Sequence, residues 1–228
     1  MKKYRKKEIV DQGFTLVELL IAMVVAGIIT MATYSVYVVQ LRHYTAQNQV
    51  TAMQQNLRAA LNLMTRDIRM AGYDGESSSA GTIVAAKPDL FYFTFDLDED
   101  GQVNDSGEHI AYDLYDSDGI STLGRTSDDA TISISDASGS WLATGHQPLA
   151  ENIEELEFHY LDDNDNVTTD ESEVSTVVIS ILARADYEDP RFNNTMTYTT
   201  AGGNDWVCDD HYRRRFQTMT VELRNAGL

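Results

Sequence analysis

The chain has 228 residues, enough for one anchored domain of ordinary size or two small ones. Lys+Arg number 17 and Asp+Glu 36, a formal charge of −19; outside residues 1–13 the balance is 12 basic to 34 acidic, which excludes nucleic acid as a partner by repulsion from its phosphates. The single cysteine, Cys208, excludes an intramolecular disulfide and reads as a buried or idle thiol.

The first element is a basic leader, residues 1–13, carrying Lys2, Lys3, Arg5, Lys6 and Lys7. Residues 14–41 follow as an apolar run whose one charge is Glu18. About 20 residues at ~1.5 Å each cross a hydrocarbon core, so this run can span a membrane. The positive-inside rule places the leader in the cytoplasm and the acidic body outside. A secretory signal peptide also joins a basic start to an apolar stretch. Its apolar part is only about 7–15 residues, however, and its break comes after that part. Here the change of character precedes the run, at Gly13-Phe14.

Glu18 has two partners open to it. Thr15-Leu16-Val17-Glu18 fits the capping box S/T-x-x-E, in which both side chains satisfy amide hydrogens at a helix start. The positive end of the helix dipole favours an acid there as well. If the chain were cut after Gly13, the new α-amine of Phe14 in a neighbouring subunit could instead neutralise Glu18. An unpaired charge at bilayer depth costs at least ~2.5–3.5 kcal/mol, so a pair made on assembly would favour assembly and set its register.

The helical pattern continues past the apolar run. Val50, Met53, Leu57, Leu61, Met64, Ile68 and Ala71 recur at spacings of three and four, one apolar stripe on an otherwise polar helix. No proline interrupts residues 14–71, and Gly72 and Gly75 supply a stop. Residues 42–75 are therefore an amphipathic continuation of one helix of about 55 residues, roughly 80 Å long. Its stripe is expected to pack on the protein's own sheet. Arg66, Asp67 and Arg69 fall on the polar side, where solvated or partly buried ion pairs are expected.

Residues 76–228 form a β-rich body. Strand-like runs at 90–95, 109–115, 131–135, 153–161, 174–185 and 215–223 are separated by acidic, turn-rich stretches at 96–107, 116–119, 162–166 and 201–205. Several strands after one long helix predict an α+β fold, an antiparallel sheet packed on the helix with long acidic loops. Phe91, Tyr92, Phe93, Phe95, Tyr112, Tyr115, Phe158 and Tyr160 read as core. Arg213, Arg214 and Arg215 are expected to pair with the body's own acidic loops or with an acidic neighbour. A strand over 221–225 would be a contact surface if it lies at a sheet edge.

One loop carries a metal-like pattern. Asp96, Asp98 and Asp100 with Gly101 match D-x-D-x-D-G, the front half of an EF-hand-type calcium loop, and Gln102 follows at the next alternate position. The twelfth position is Gly107, with Glu108 one residue late, and strands flank the loop, so an acidic hairpin loop explains it too. Asp162-Asp163-Asn164-Asp165-Asn166 is a weaker candidate, explained by a solvated turn. For catalysis there is no G-x-S-x-G, H-E-x-x-H, P-loop or C-x-x-C, and the five histidines (His43, His109, His146, His159, His211) are scattered. No enzyme activity and no required cofactor are expected.

Gly13-Phe14-Thr15-Leu16-Val17-Glu18, with the short basic leader before it and the apolar stretch after it, resembles the class III leader of type IV prepilins and type II secretion pseudopilins. The resemblance implies a pilin fold and cleavage by a prepilin peptidase between Gly13 and Phe14. It further implies N-methylation of Phe14 and an ion pair between Glu18 and a neighbour's Phe14 amine. Met64-Thr65-Arg66-Asp67-Ile68-Arg69-Met70-Ala71-Gly72-Tyr73 resembles the R-D-[IL]-R-x-A-G-[YF] segment of PilW-type minor pilins. The chain end, from Arg213-Arg214-Arg215-Phe216 to Leu223-Arg224-Asn225, resembles their closing strand. The implied function is a structural minor pilin that helps initiate or cap a type IV pilus. It would be held first in the inner membrane with its body in the periplasm, and later in the fibre at the cell surface. Implied partners are the prepilin peptidase, other major and minor pilins and the inner-membrane assembly platform. A J-type pseudopilin of type II secretion shares the layout, and genomic neighbours would discriminate. A tip-displayed, calcium-binding adhesin module is a third alternative.

Overall fold

The computed structural model describes residues 13–75, 81–127, 132–134, 141–143 and 145–225. The chain divides into two compact units between Gln47 and Asn48. One helix, α1 (Leu16–Ile68), contributes to both.

In the first unit α1 is apolar all round and exposed along its length. Among the described residues it is the one helix long and apolar enough to cross a membrane. Three of its hydroxyls bond within the helix itself. Thr30, Thr33 and Ser35 donate to the carbonyls of Ala26, Ile29 and Met31 at 2.8, 2.9 and 2.9 Å. A hydroxyl bonded to the i−4 carbonyl needs no partner from solvent, which suits an apolar surround.

In the second unit the predicted stripe goes inward. Met53, Leu57, Leu61, Met64 and Ile68 of α1 and Ala71 just beyond it are buried, with Val50 at the margin. They meet aromatic and β-branched residues of two antiparallel sheets in one core: Phe91, Phe93, Ile110, Tyr112, Phe158, Ile179 and Ile181 among them. Burying each large apolar side chain is worth roughly 1.5–3 kcal/mol, so these contacts hold the helix to the sheets.

The larger sheet has five strands in the order β1 (Ile83–Ala86), β2 (Leu90–Thr94), β3 (His109–Ser117), β4 (Ile120–Thr126) and, beside β4, β7 (Gln147–Glu151). The second sheet has β8 (Ile153–Leu161) and β12 (Arg214–Glu222) flanking β9 (Thr176–Arg184). β5 (Ile132–Ile134) pairs with β6 (Trp141–Ala143), and β10 (Thr197–Thr199) with β11 (Asp205–Val207). The expected single sheet is thus several. Five of the six predicted runs became β2, β3, β8, β9 and β12. The run at 131–135 is β5 where described, its ends lying outside the described residues. β1, β4, β7, β10 and β11 escaped the sequence reading because they are short or broken by Gly, Pro or Asp.

β9 is buried along eight of its nine residues, so it shows no alternation. Its inner face meets α1. Its outer face is covered where Glu157 of β8 accepts from the Gly202 amide at 3.0 Å and from Asn204 Nδ2 at 2.5 Å, tying down the β10–β11 hairpin. The helix ends at a turn in which Gly72 takes a φ of 73°, a left-handed conformation that glycine adopts without strain. The Gly72 amide donates to Thr94 O of β2 at 3.0 Å, and Asn225 Nδ2 reaches Ala71 O at 3.5 Å. Both chain ends of the motif-bearing segments therefore meet at the helix terminus.

Candidate functional site

At the start of α1 the capping box is closed. Glu18 Oε2 accepts from the Thr15 amide and from Thr15 Oγ1, both at 2.9 Å, and Thr15 Oγ1 accepts from the Glu18 amide at 3.3 Å. Every one of these groups follows the Gly13-Phe14 bond, so hydrolysis there would leave the cap intact. The cap's bonds to the carboxylate fall on Oε2, and an ionised carboxylate has about four acceptor positions. Capping and pairing are therefore compatible. Phe14 is 90% exposed.

The Arg66-Asp67 segment is less exposed than its sequence spacing suggests. Arg66 is at the surface, its side chain 74% accessible, but Asp67 is only 12% accessible. Asp67 Oδ2 accepts from Tyr112 Oη at 2.7 Å and from Arg125 Nε at 2.8 Å. The expected helix-surface pair Arg66–Asp67 is stretched to 3.8 Å, so Asp67 is a bond between helix and sheet rather than part of a solvated face. Burial, then the Asp67 charge, pushes the Tyr112 hydroxyl far above its ordinary value, which keeps it a donor. No sequence signal pointed to Arg125, because its partner lies 58 residues away.

The C-terminal arginines pair within the body, as one of the two readings expected, except for Arg215. Arg213 reaches Asp189 at 2.8 Å and lies over the Phe192 ring. Arg214, nearly inaccessible, is held by Glu154 and by Asp210. That guanidinium lowers the Asp210 carboxyl to about 2. Arg215 points to solvent. β12 pairs with β9 alone among the named strands and so lies at a sheet edge; residues 221–222 of the expected contact strand belong to it. Cys208 is buried and unbridged, and burial raises its thiol above the ordinary value.

In the acidic loop Asp96 is fully buried and accepts from the amides of Glu99, Asp100 and Gly101 at 2.7, 3.3 and 2.9 Å. Asp100 accepts from the Gln102 amide at 2.8 Å. Glu108, also buried, accepts from the amides of Leu97 and Asp105 at 3.0 and 2.9 Å. The carboxylate oxygens of Asp96, Asp98 and Glu108 lie within 4.8 Å of one another, as do those of Asp98, Asp100 and Asp105. Glu108, one residue late by the EF-hand spacing, is the residue the fold brings in, because β3 begins there. Partial desolvation and the Asp100 charge raise the Asp98 carboxyl. In the weaker candidate, Asp162 spends its carboxylate on the amides of Asn164 and Asn166, both at 2.8 Å, a self-closed turn.

One imidazole has an acid–base setting. His146 Nε2 sits 3.0 Å from Asp113 Oδ1, and its ring stacks on Tyr115 at 4.3 Å. Gly124 makes room for that stack: a Cβ there would come within 2.7 Å of His146. Burial raises the Asp113 carboxyl, with His146 opposing the shift. Neither a serine nor a cysteine bonds this group among the described residues. His109 instead bonds Tyr92 Oη at 2.6 Å and Val103 O at 2.8 Å, a structural tie between β2, β3 and the acidic loop.

Residues 10–34 match the prokaryotic N-terminal methylation motif. Residues 46–202, more than half of the chain, match the family described as prepilin peptidase-dependent protein B. A solved type IV-like pilin, TTHA1219 from Thermus thermophilus, is 16% identical, with 77% of this chain and 98% of that one covered at a TM-score of 0.49. No curated protein sequence matches.

Proposed function

Because the chain belongs to the prepilin peptidase-dependent protein B family, we propose that it is a PilW-like minor pilin that takes part in initiating or capping a type IV pilus. One observation carries this reading. A capped, carboxylate-bearing helix start follows Gly13-Phe14 directly and leads into an apolar helix that its own chain leaves exposed. A surface of that kind needs lipid or other helices around it. In the proposed sequence of events the peptidase cuts after Gly13 and Phe14 is methylated. Residues 14–41 hold the subunit in the inner membrane until they pass into a helical bundle, and there Glu18 meets a neighbour's Phe14 amine. The body, whose core is complete in one chain, supports a structural role rather than an enzymatic one.

Mass spectrometry of the mature N-terminus in sheared fibres tests this. Methylated Phe14 is expected. An intact Met1, or a cut after Ala22, overturns it.

Calcium at the acidic loop stands as a separate proposal, with Asp96, Asp98 and Glu108 as ligands beside the expected Asp100 and Gln102. A calcium titration of the full chain in detergent that gives no heat and no rise in Tm removes it.

A further inference from the structure

Carboxylates outnumber basic residues nearly three to one beyond the leader, and several cations have found one: Lys87 with Glu171, Arg125 with Asp67, Arg213 with Asp189, Arg214 with Glu154. The outer face of α1 in the second unit differs. Its exposed residues include Thr51, Gln55, Arg58, Asn62 and Arg66, with Arg69 just past the helix end. From Asn48 to Ile68 the one acid is Asp67, and it is turned inward to Arg125. At ~100° per residue, Arg58 and Arg66 lie about 80° apart on the side opposite the buried stripe, about 12 Å along the helix, and exposed Arg69 follows just past its end. Asn225 at the helix terminus brings exposed Arg224 to the same end. Among the described residues neither Arg58 nor Arg69 has an acidic partner. The helix dipole accounts for a cation in the last turn, Arg66, but not for Arg58 two turns earlier.

We propose that this arginine ridge is a docking surface for the acidic face of another pilin-type body. The inference rests on the assembly role above and adds where on this subunit a neighbour sits. Charge complementarity selects the occupant: a ridge of exposed guanidinium groups, of which only Arg66 has an acid within 4 Å among the described residues, steers on an otherwise anionic protein toward carboxylate clusters and repels other cationic faces. Loops such as 96–105 and 162–165 of this chain show the kind of surface that fits it.

The test uses the full chain expressed in its own cells, with Arg58→Glu/Arg69→Glu beside Arg58→Lys/Arg69→Lys. Arg66 is left in place because it adjoins the Asp67–Arg125 bond. Both variants should show wild-type leader removal and an unchanged Tm after detergent extraction. The glutamate pair should enter sheared fibres at least about tenfold less, and the lysine pair at the wild-type level. Wild-type incorporation of the glutamate pair overturns the proposal. So does a variant that enters fibres normally but loses retention on anionic vesicles, which would assign the ridge to lipid headgroups. Absence of the wild-type chain from fibres overturns the assembly reading itself, and the occupant with it.

Discussion

The two ends of α1 obey the same helical geometry and face opposite demands. Between Asn48 and Ile68 the apolar residues form one stripe, and two sheets of the same chain cover it. Between Leu16 and Leu41 the apolar residues surround the helix and lie exposed. The second unit thus has its core in hand and can tolerate little change there. The first unit's partners come from outside, so substitutions there should register in assembly and leave folding alone.

The sharpest way to break that contrast is at Glu18. Glu18→Ala is expected to abolish incorporation into fibres while the Tm of the extracted chain stays put. Incorporation at the wild-type level would show that Thr15 capping is the whole role of the carboxylate. The cost it relieves in lipid, at least ~2.5–3.5 kcal/mol per unpaired charge, is what makes the effect large.

Core truncation gives the converse. Leu61→Ala should lower the unfolding free energy by about 2–5 kcal/mol, read by denaturant melts. Leu20→Ala in the exposed segment should change it by less than about 0.5 kcal/mol. Equal losses at both positions would erase the contrast.

Asp67→Ala leaves Arg125 and Tyr112 without their acceptor and should cost about 3 kcal/mol. Arg66→Ala, at the neighbouring exposed position, should cost less than about 0.5 kcal/mol. The pair of variants separates the inward from the outward half of the R-D segment.

The smallest effect lies in acid. Asp210 is held at about 2, below its ordinary 3.8, by Arg214. A carboxyl depressed on folding contributes stability that is complete above its unfolded value and is lost as the pH falls toward the folded one. Stability should therefore decline from about pH 4 to pH 2, and Asp210→Asn should flatten that decline slightly, since the side chain is partly exposed and screened. An unchanged slope would place acid sensitivity elsewhere.

The anchor was legible as a continuous apolar run, and the amphipathic stripe and the capping box because each is written in residues three or four apart. The acidic loop was legible as far as Gly101 because its aspartates alternate within six residues. Glu108 was not, because its place in the loop depends on where β3 begins. β4 and β7 were missed because Gly124 and Pro148 break their patterns, and their pairing supplies what local propensity does not.

By itself the sequence determined the elements whose physics is local: a helix long and apolar enough for a bilayer, its cap at Thr15 and Glu18, and a stripe that must find a sheet. The tertiary structure decided everything that joins residues far apart in the chain. It turned Asp67 from solvent to Arg125, placed Arg214 between Glu154 and Asp210, and left Arg58 and Arg69 exposed without a carboxylate partner among the described residues. The reason is the range of the interactions. Hydrogen bonds and ion pairs act over a few ångströms, so their partners exist only once the sheets have packed.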